Sequence, residues 1–336
     1  MRVTIHDIAK ILGVAPSTVS RALSGKGRIS SATREKIRKV AEELGYRPNA
    51  LARGLATRCT GAVGVVIHER HLPLDERSFY GVILEMIATE LAQHGYHVLF
   101  STMGDQFFPR CVEEHRVDGL ILLGTDVSED LVRSLARTAP LVLVDHAFPG
   151  IPSVVGDNVG GARLATSHLL DHGHKEIAFV AETLADPSFR ARFAGYRWAL
   201  RQRGLRVRKT WVVEGGRRRD SDRLAMERLL SQGPLPRAIF AANDFMAVGA
   251  IQALTKAGLR VPEDVAVVGF DDGALATVVQ PPLTTVRVPR VEMGRVAARK
   301  LLELLRGRPQ TALVEVLPTT LTIRTSCGCR SVPSEG

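Results

Sequence analysis

Four side chains in the stretch PSTVSRAL can form hydrogen bonds to a ligand surface: Ser17, Thr18, Ser20 and Arg21. On a short helix they share one side, and Val19 and Leu23 point to the other. Such a face meets either solvent or the edges and phosphates of DNA. An ordinary three-helix bundle with basic surface residues fits the same pattern. Charge weighs for nucleic acid, because the first 58 residues hold 12 Lys+Arg against 4 Asp+Glu and so carry +8 of the chain's +10. The other 278 residues are nearly neutral.

Two further groups have ligand chemistry. His168, His172 and His174 include a pair one helical turn apart, but no neighbouring carboxylate or thiol completes a metal set, and covering a helix end explains them as well. Cys327-Gly-Cys329 can be a tail bridge, a metal pair or a reduced, unpaired tail, and the last is the expectation. With Cys59 and Cys111 there are four scattered cysteines, which points to a reducing cytoplasm. Phosphate-cradling G-x-G-x-x-G and G-x-x-x-x-G-K-[ST] patterns are missing, and no nucleophile stands with a plausible base. The expectation is a protein without catalytic activity, cofactor or metal. Met1 leads straight into an amphipathic helix, and no apolar run reaches the about 18 residues that cross a bilayer. A chain of 336 residues, 45% hydrophobic and 24% charged, supports two or three globular domains.

These residues need elements to position them. Thr4, with Asp7 three residues on, predicts a capped first helix carrying Ile5, Ile8, Ala9, Ile11 and Leu12, and Gly13 ends it. Val14 is expected buried in the turn. Pro16 suits the first position of a second helix, preceded by Ala15 rather than a side-chain cap. Ser30 predicts the cap of a third helix of about 14 residues with Ile37, Val40 and Leu44 inward and Gly45 at its end. From Gly61 onward, strand-like runs (62–67, 96–101, 120–123, 141–145, 177–181, 238–241, 265–270) alternate with helical stretches (80–94, 159–171, 190–203, 220–231, 245–257). That alternation predicts parallel sheets with helical crossovers.

VTIHDIAKILGVAPSTVSRALSG followed by TREKIRKVAEELGYRPNALARGL resembles the LacI/GalR family of transcriptional regulators. The likeness continues through VDGLILL, DNVGGARLATSHLLDHGHKEIAFV, FAGYRWAL, AANDFMAVGAIQAL, VPEDVAVVGFDD and PPLTTVRVP, and is weakest around 68–78 and 107–116. The resemblance implies an N-terminal all-α helix-turn-helix with a hinge helix and a C-terminal α/β domain of two periplasmic-binding-protein-like lobes with parallel sheets. The implied divisions are 1–46 for the head, 47–60 for hinge and linker, 61–330 for the effector domain and 331–336 for the tail. Lobe one takes about 61–155 plus 288–316, and lobe two about 156–287 plus 317–330.

It also implies partners and sites. The partners are a near-palindromic double-stranded DNA operator, a small-molecule effector (a sugar or sugar phosphate) and a second copy of the chain in a homodimer. Repression is the expected outcome, with an activator or dual regulator that takes its effector as corepressor as the alternative, and a solute-binding protein that does not bind DNA as a remoter one. Thr4, Pro16, Ser17, Thr18, Ser20 and Arg21 would meet DNA. An arginine such as Arg21 can pair bidentately with guanine O6 and N7, a contact worth about 1–3 kcal/mol of discrimination. Asn49, Ala52, Arg53 and Leu55 would form the hinge, with Leu55 wedging into the minor groove. Phe79, Tyr80, Thr125, Asp145, His146, Arg192, Arg217, Asn243 and Asp271 would hold the effector. Arg217, in EGGRRRD, stands where relatives commonly place an aromatic. The implied platform is therefore missing, and an anionic effector is one reading of the change.

Overall fold

The computed structural model of the chain describes residues 3–25, 27–46, 59–72, 74, 78–104, 108–124, 127–217, 220–310 and 312–329. Its contacts divide into two units, Met1–Thr60 and Gly61–Gly336. Among the described residues, no helix is long and apolar enough to cross a membrane.

The first unit holds α1 (Ile5–Leu12), α2 (Pro16–Leu23) and α3 (Ser31–Glu43). Asp7 accepts hydrogen bonds from the Thr4 backbone N–H and hydroxyl, both at 2.8 Å. These bonds, the backbone one foremost, hold the Asp7 carboxyl below its usual range. Gly13 follows with φ 62°, and the chain turns into Pro16 at the start of α2. Ser30 caps α3 by accepting from the Thr33 N–H. Ile8, Val19 and Ile37, one from each helix, are fully buried and form the centre, with Ala9, Ala22 and Ala41 around them. Val14, Leu23, Val40 and Leu44 are only half-buried, so small alanines line the tight interior and the larger residues close its rim.

The second unit contains two six-stranded sheets. The first sheet comprises β1 (Ala62–His68), β2 (His97–Met103), β3 (Gly119–Leu123), β4 (Leu141–Val144), β5 (Ser153–Gly156) and β11 (Val314–Leu317), in the order β11-β5-β4-β3-β1-β2 and parallel throughout. Helices α4 (Phe79–Gln93), α5 (Arg110–Glu113), α6 (Glu129–Thr138) and α12 (Arg290–Leu305) accompany it. The second sheet comprises β6 (Ile177–Ala181), β7 (Val212–Glu214), β8 (Ala238–Ala241), β9 (Ala266–Asp271), β10 (Thr284–Arg287) and β12 (Thr320–Thr322), ordered β12-β10-β9-β8-β6-β7. Here only β12 runs antiparallel. Helices α7 (Asn158–Asp171), α8 (Pro187–Gln202), α9 (Ser221–Ser231), α10 (Asp244–Lys256) and α11 (Leu275–Val278) belong to this lobe.

Buried strands such as GLILL, LVLV and IAFVA are apolar at nearly every position, because helices cover both faces of each sheet. Phe179, Tyr196, Phe240 and Phe270 fill one layer of the second lobe, and Met226, Met246 and Leu254 the other. The chain passes between the sheets three times, at 156–158, 287–290 and 317–320. Several helices begin earlier than their apolar pattern predicts, because polar residues cap them. Asp157 accepts from the Gly160 N–H, Asp186 from the Ser188 and Phe189 N–H groups, and Asn243 from the Met246 N–H.

Candidate ligand cavity and DNA-reading helix

Both sheets share one strand order, so each has a switch point where successive crossovers depart in opposite directions. In open parallel sheets ligands settle there, beyond the carboxyl ends of the strands. A cavity of about 600 Å³ lies at this place in the second unit. Strand ends supply Glu69–His71 after β1, Asp145 after β4, Glu182 after β6, Arg217 after β7, Asn243 after β8 and Asp271 at the end of β9. The first turns of helices supply Phe79 and Tyr80, then Ser188 and Phe189, then Ser221, then Phe245, and Arg192 follows in the second turn of α8.

Arg192 is the most constrained of these groups, with 3% of its surface exposed. Its Nε donates to Asn158 Oδ1 at 2.8 Å and its Nη1 to the Ala242 carbonyl at 2.5 Å. Its Nη2 lies 3.1 Å from Asp271 Oδ1, and the guanidinium stacks 3.8 Å from the Phe270 ring centre. Asn243 divides its amide: the oxygen caps α10, and Nδ2 donates to Glu182 Oε1 at 3.3 Å. Tyr80 donates its hydroxyl to Asp145 Oδ2 at 2.9 Å. Two contacts join the lobes across the cavity. Ser188 Oγ reaches Asp145 at 3.4–3.5 Å, and Arg70 pairs with Glu182 at 3.9 Å.

Asp145, Asp271 and Asp272 have φ of 66°, 110° and 52°, a region that disfavours side chains. Strain of this kind gathers at ligand sites, where the surrounding structure holds it. Asp272 is clamped by Arg287 at 2.6 Å and Arg324 at 2.7 Å. Burial opposes its charge, but those guanidinium bonds outweigh burial and keep its carboxyl below the usual range.

Elsewhere burial wins. It pushes Asp145 up to about 7 against the Arg192 charge, and Asp244, beside the Asp271 carboxylate, up to about 8. It also raises Asp271 and Glu182. The folded state therefore holds protons that the unfolded chain has already released. For Asp145 the resulting stability is complete below the ordinary 3.8 and is lost as pH rises through about 7. The ligand-free protein should lose stability between these values, and Asp145→Asn should flatten the slope by at most about 1.4 kcal/mol per pH unit. Urea unfolding across that window checks this, and an identical slope in the variant would exclude Asp145 as the source.

Seven residues singled out from the sequence meet in the cavity: Phe79, Tyr80, Asp145, Arg192, Arg217, Asn243 and Asp271. Asp145 lines the cavity, and the neighbouring His146 packs edge-on against Phe148 with ring centres 4.3 Å apart. Thr125 lies outside the described residues. The supposed lack of an aromatic platform is corrected. Phe79, Tyr80, Phe189 and Phe245 line the cavity from helix starts, and Phe245 is 41% exposed. Sequence reasoning missed Glu69–His71, Glu182, Ser188, Phe189, Ser221 and Phe245, although their places just after strands and at helix starts are a usable signal.

In the first unit Ser17, Ser20 and Arg21 are exposed on α2, and Pro16 and Thr18 are half-buried. Thr4 is exposed and engages its side chain with Asp7. Asn49, Ala52, Arg53 and Leu55 lie outside the described residues.

A helix-turn-helix together with a two-lobed, cavity-bearing fold defines the class of transcriptional regulators. Residues 4–49 match the profile of bacterial regulatory proteins of the lacI family, and residues 166–327 match the periplasmic binding protein-like domain. The chain is 37% identical to catabolite control protein A of Priestia megaterium, over 97% of this chain and 99% of that one. Its fold is similar to the transcriptional regulator CelR in complex with cellobiose (TM-score 0.72, 34% identity, 97% of this chain and 100% of that one). It is also similar to the lac repressor dimer bound to operator and the anti-inducer ONPF (TM-score 0.82, 29% identity, 97% and 99%). The chain belongs to the lacI family of transcriptional regulators.

Proposed function

We propose that this regulator is a repressor that binds a near-palindromic double-stranded operator as a homodimer in the cytoplasm. A polyhydroxylated effector, a sugar or sugar derivative, sets its affinity. The head is assigned to 1–46, the hinge and linker to 47–60, the effector domain to 61–330 and the tail to 331–336. The observation that carries the effector reading is the convergence of Arg192, Asn243, Asp145, Asp271 and Glu182 with aromatic rings in one cavity. Carboxylates accept from hydroxyls, the guanidinium donates to them, and the rings take the apolar face of a sugar. Thr125 is kept as a candidate contact, and the structural lineage of CelR, solved with cellobiose, supports the class.

On DNA, Ser17 and Arg21 would read base edges, with Thr4, Pro16, Thr18 and Ser20 beside them. Asn49, Ala52, Arg53 and Leu55 would order as the hinge on the operator. Two-fold symmetry of the protein demands paired half-sites in the DNA. Closure of the lobes on effector would alter the spacing of the two heads. Arg217 favours a second effector class, a sugar phosphate, because it adds an exposed cation to the lining.

The test has two arms. Selection from random duplexes should return paired half-sites, with release at higher salt. Calorimetry should then find a sugar that binds and shifts operator affinity. Tighter binding of the corresponding phosphate would move the assignment to the second class. A failure of every sugar and sugar phosphate to bind would sink both.

A further inference from the structure

The sequence separates His168 from Cys327 and Cys329 by nearly half of the chain, and neither group alone completes a metal set. The fold brings them together. His168 Nε2, Cys327 Sγ and Cys329 Sγ all lie within 4.8 Å of one another, and Nε2 stands 3.2 Å from Cys329 Sγ. Both cysteines are free, and they stand beside the histidine. We propose that His168, Cys327 and Cys329 form a binding site for a thiophilic d10 cation of the zinc class, which ties the end of the chain to α7.

The donor spacing fits the chemistry. Tetrahedral zinc takes thiolate at about 2.3 Å and imidazole nitrogen at about 2.0–2.1 Å, which places neighbouring donors roughly 3.5–3.8 Å apart. His168 Nε2 and Cys329 Sγ, 3.2 Å apart, sit just inside that spacing, and Cys327 Sγ lies within 4.8 Å of both. Thiolate sulfur selects soft cations over magnesium or calcium, which take hard oxygen ligands. Three protein ligands leave a fourth position for water or a small ligand.

The surroundings hold the donors in place. Ser326 Oγ accepts from the Thr284 N–H and donates to the Val267 carbonyl, which anchors the segment to β9 and β10. Gly328 has φ 80°, so the two flanking cysteines turn toward the same place. Thr284 Oγ1 accepts from the Arg324 N–H at 2.8 Å and therefore gives its own hydrogen to Cys327 Sγ at 3.1 Å. A hydroxyl donating to sulfur is the kind of outer partner that orients a metal-bound thiolate. As a thiol, Cys327 has the Arg324 carbonyl at 3.5 Å as its acceptor. The His168 ring is held by the His172 ring, 4.4 Å between centres, and His172 Nδ1 lies 2.7 Å from the His168 carbonyl oxygen. His168 and Cys327 are buried and Cys329 half-buried, so a cation would enter from the Cys329 side. On binding, each thiol that ligates gives up its proton to the buffer, and the cation takes the vacated lone pairs.

The experiment is a cobalt(II) titration of the full-length, fully reduced protein carrying Cys59→Ser, followed by competition with zinc. Cobalt serves as the visible stand-in for zinc. The expected result is a sulfur-to-cobalt charge-transfer band that saturates at one ion per chain, with tetrahedral d–d absorption, and that zinc abolishes. Cys329→Ser and His168→Gln should each weaken binding by at least about 100-fold, the upper end of what changes in outer partners cost. Zinc should raise the thermal midpoint of the parent protein but not of Cys329→Ser. Cys329 is half-buried, and effector or operator binding by its serine variant establishes that it folds. A band that persists in Cys329→Ser overturns the site, as does no band on the reduced protein. A Cys327–Cys329 disulfide that forms in air, with no cobalt band after reduction, also overturns it.

Discussion

Replacing Arg192 with alanine should destabilise the second unit by about 3–5 kcal/mol and abolish the response to effector. That magnitude is typical when one partner of a buried ion pair is removed and the other charge is left alone. Asp271 would lose the guanidinium 3.1 Å away, and the Asn158 side chain and the Ala242 carbonyl would lose their donors. The Phe270 ring would face a void where the guanidinium stacks. Arg192→Lys separates charge from shape. An ammonium keeps the charge but has no planar fork to reach Asn158, Ala242 and Asp271 together. It should recover part of the stability and little of the effector affinity. Urea unfolding and calorimetry measure the two quantities. A loss well under about 1 kcal/mol in Arg192→Ala would mean that water or another cation replaces the side chain.

The second large effect concerns DNA. Arg21→Ala should cost about 1–3 kcal/mol at one G·C pair of each half-site, roughly 5- to 150-fold in affinity per contact, and should relax the preference for guanine there. Arg21 is exposed on α2, away from the Ile8–Val19–Ile37 centre, so the fold of the first unit should be unaffected. Gel-shift titration of the selected operator and its single-base variants, at one fixed salt concentration, checks this. A uniform weakening on all sequences, with a shallower salt dependence, would reassign Arg21 to a phosphate contact.

Much of the first unit was legible because its signals are local. Thr4 and Asp7, Gly13, Pro16 and Ser30 act on neighbours within a turn, and Ile8, Val19 and Ile37 recur at helical spacing. The alternation of strands and helices was legible for the same reason. Strand starts were less certain: the second strand of lobe one begins at His97, one residue after its apolar run, and its helix starts at Phe79, just after Ser78. Legibility failed where residues meet across the fold. Tyr80 and Asp145, or Arg70 and Glu182, share no local pattern. Adjacency in sequence to Asp145 did not tell that His146 packs on Phe148. The aromatic lining came from Phe189 and Phe245 on helix starts, which the single position at Arg217 did not foretell.

The first sheet is finished by β11, whose Val314 pairs beside Ser153 of β5, and by α12, which packs its buried Met293, Ala297 and Leu301 into that lobe. During synthesis the ribosome releases β1–β5 early but these closing pieces only near the end. In the second lobe β6–β10 emerge as one nearly unbroken stretch, but its antiparallel edge strand β12 comes after β11. Each lobe thus waits for the C-terminal stretch, the first for α12 and β11 and the second for β12, against the usual order in which N-terminal domains fold ahead of later ones. A premature stop just before Val314 would strip an edge strand from both lobes at once, β11 from the first and β12 from the second.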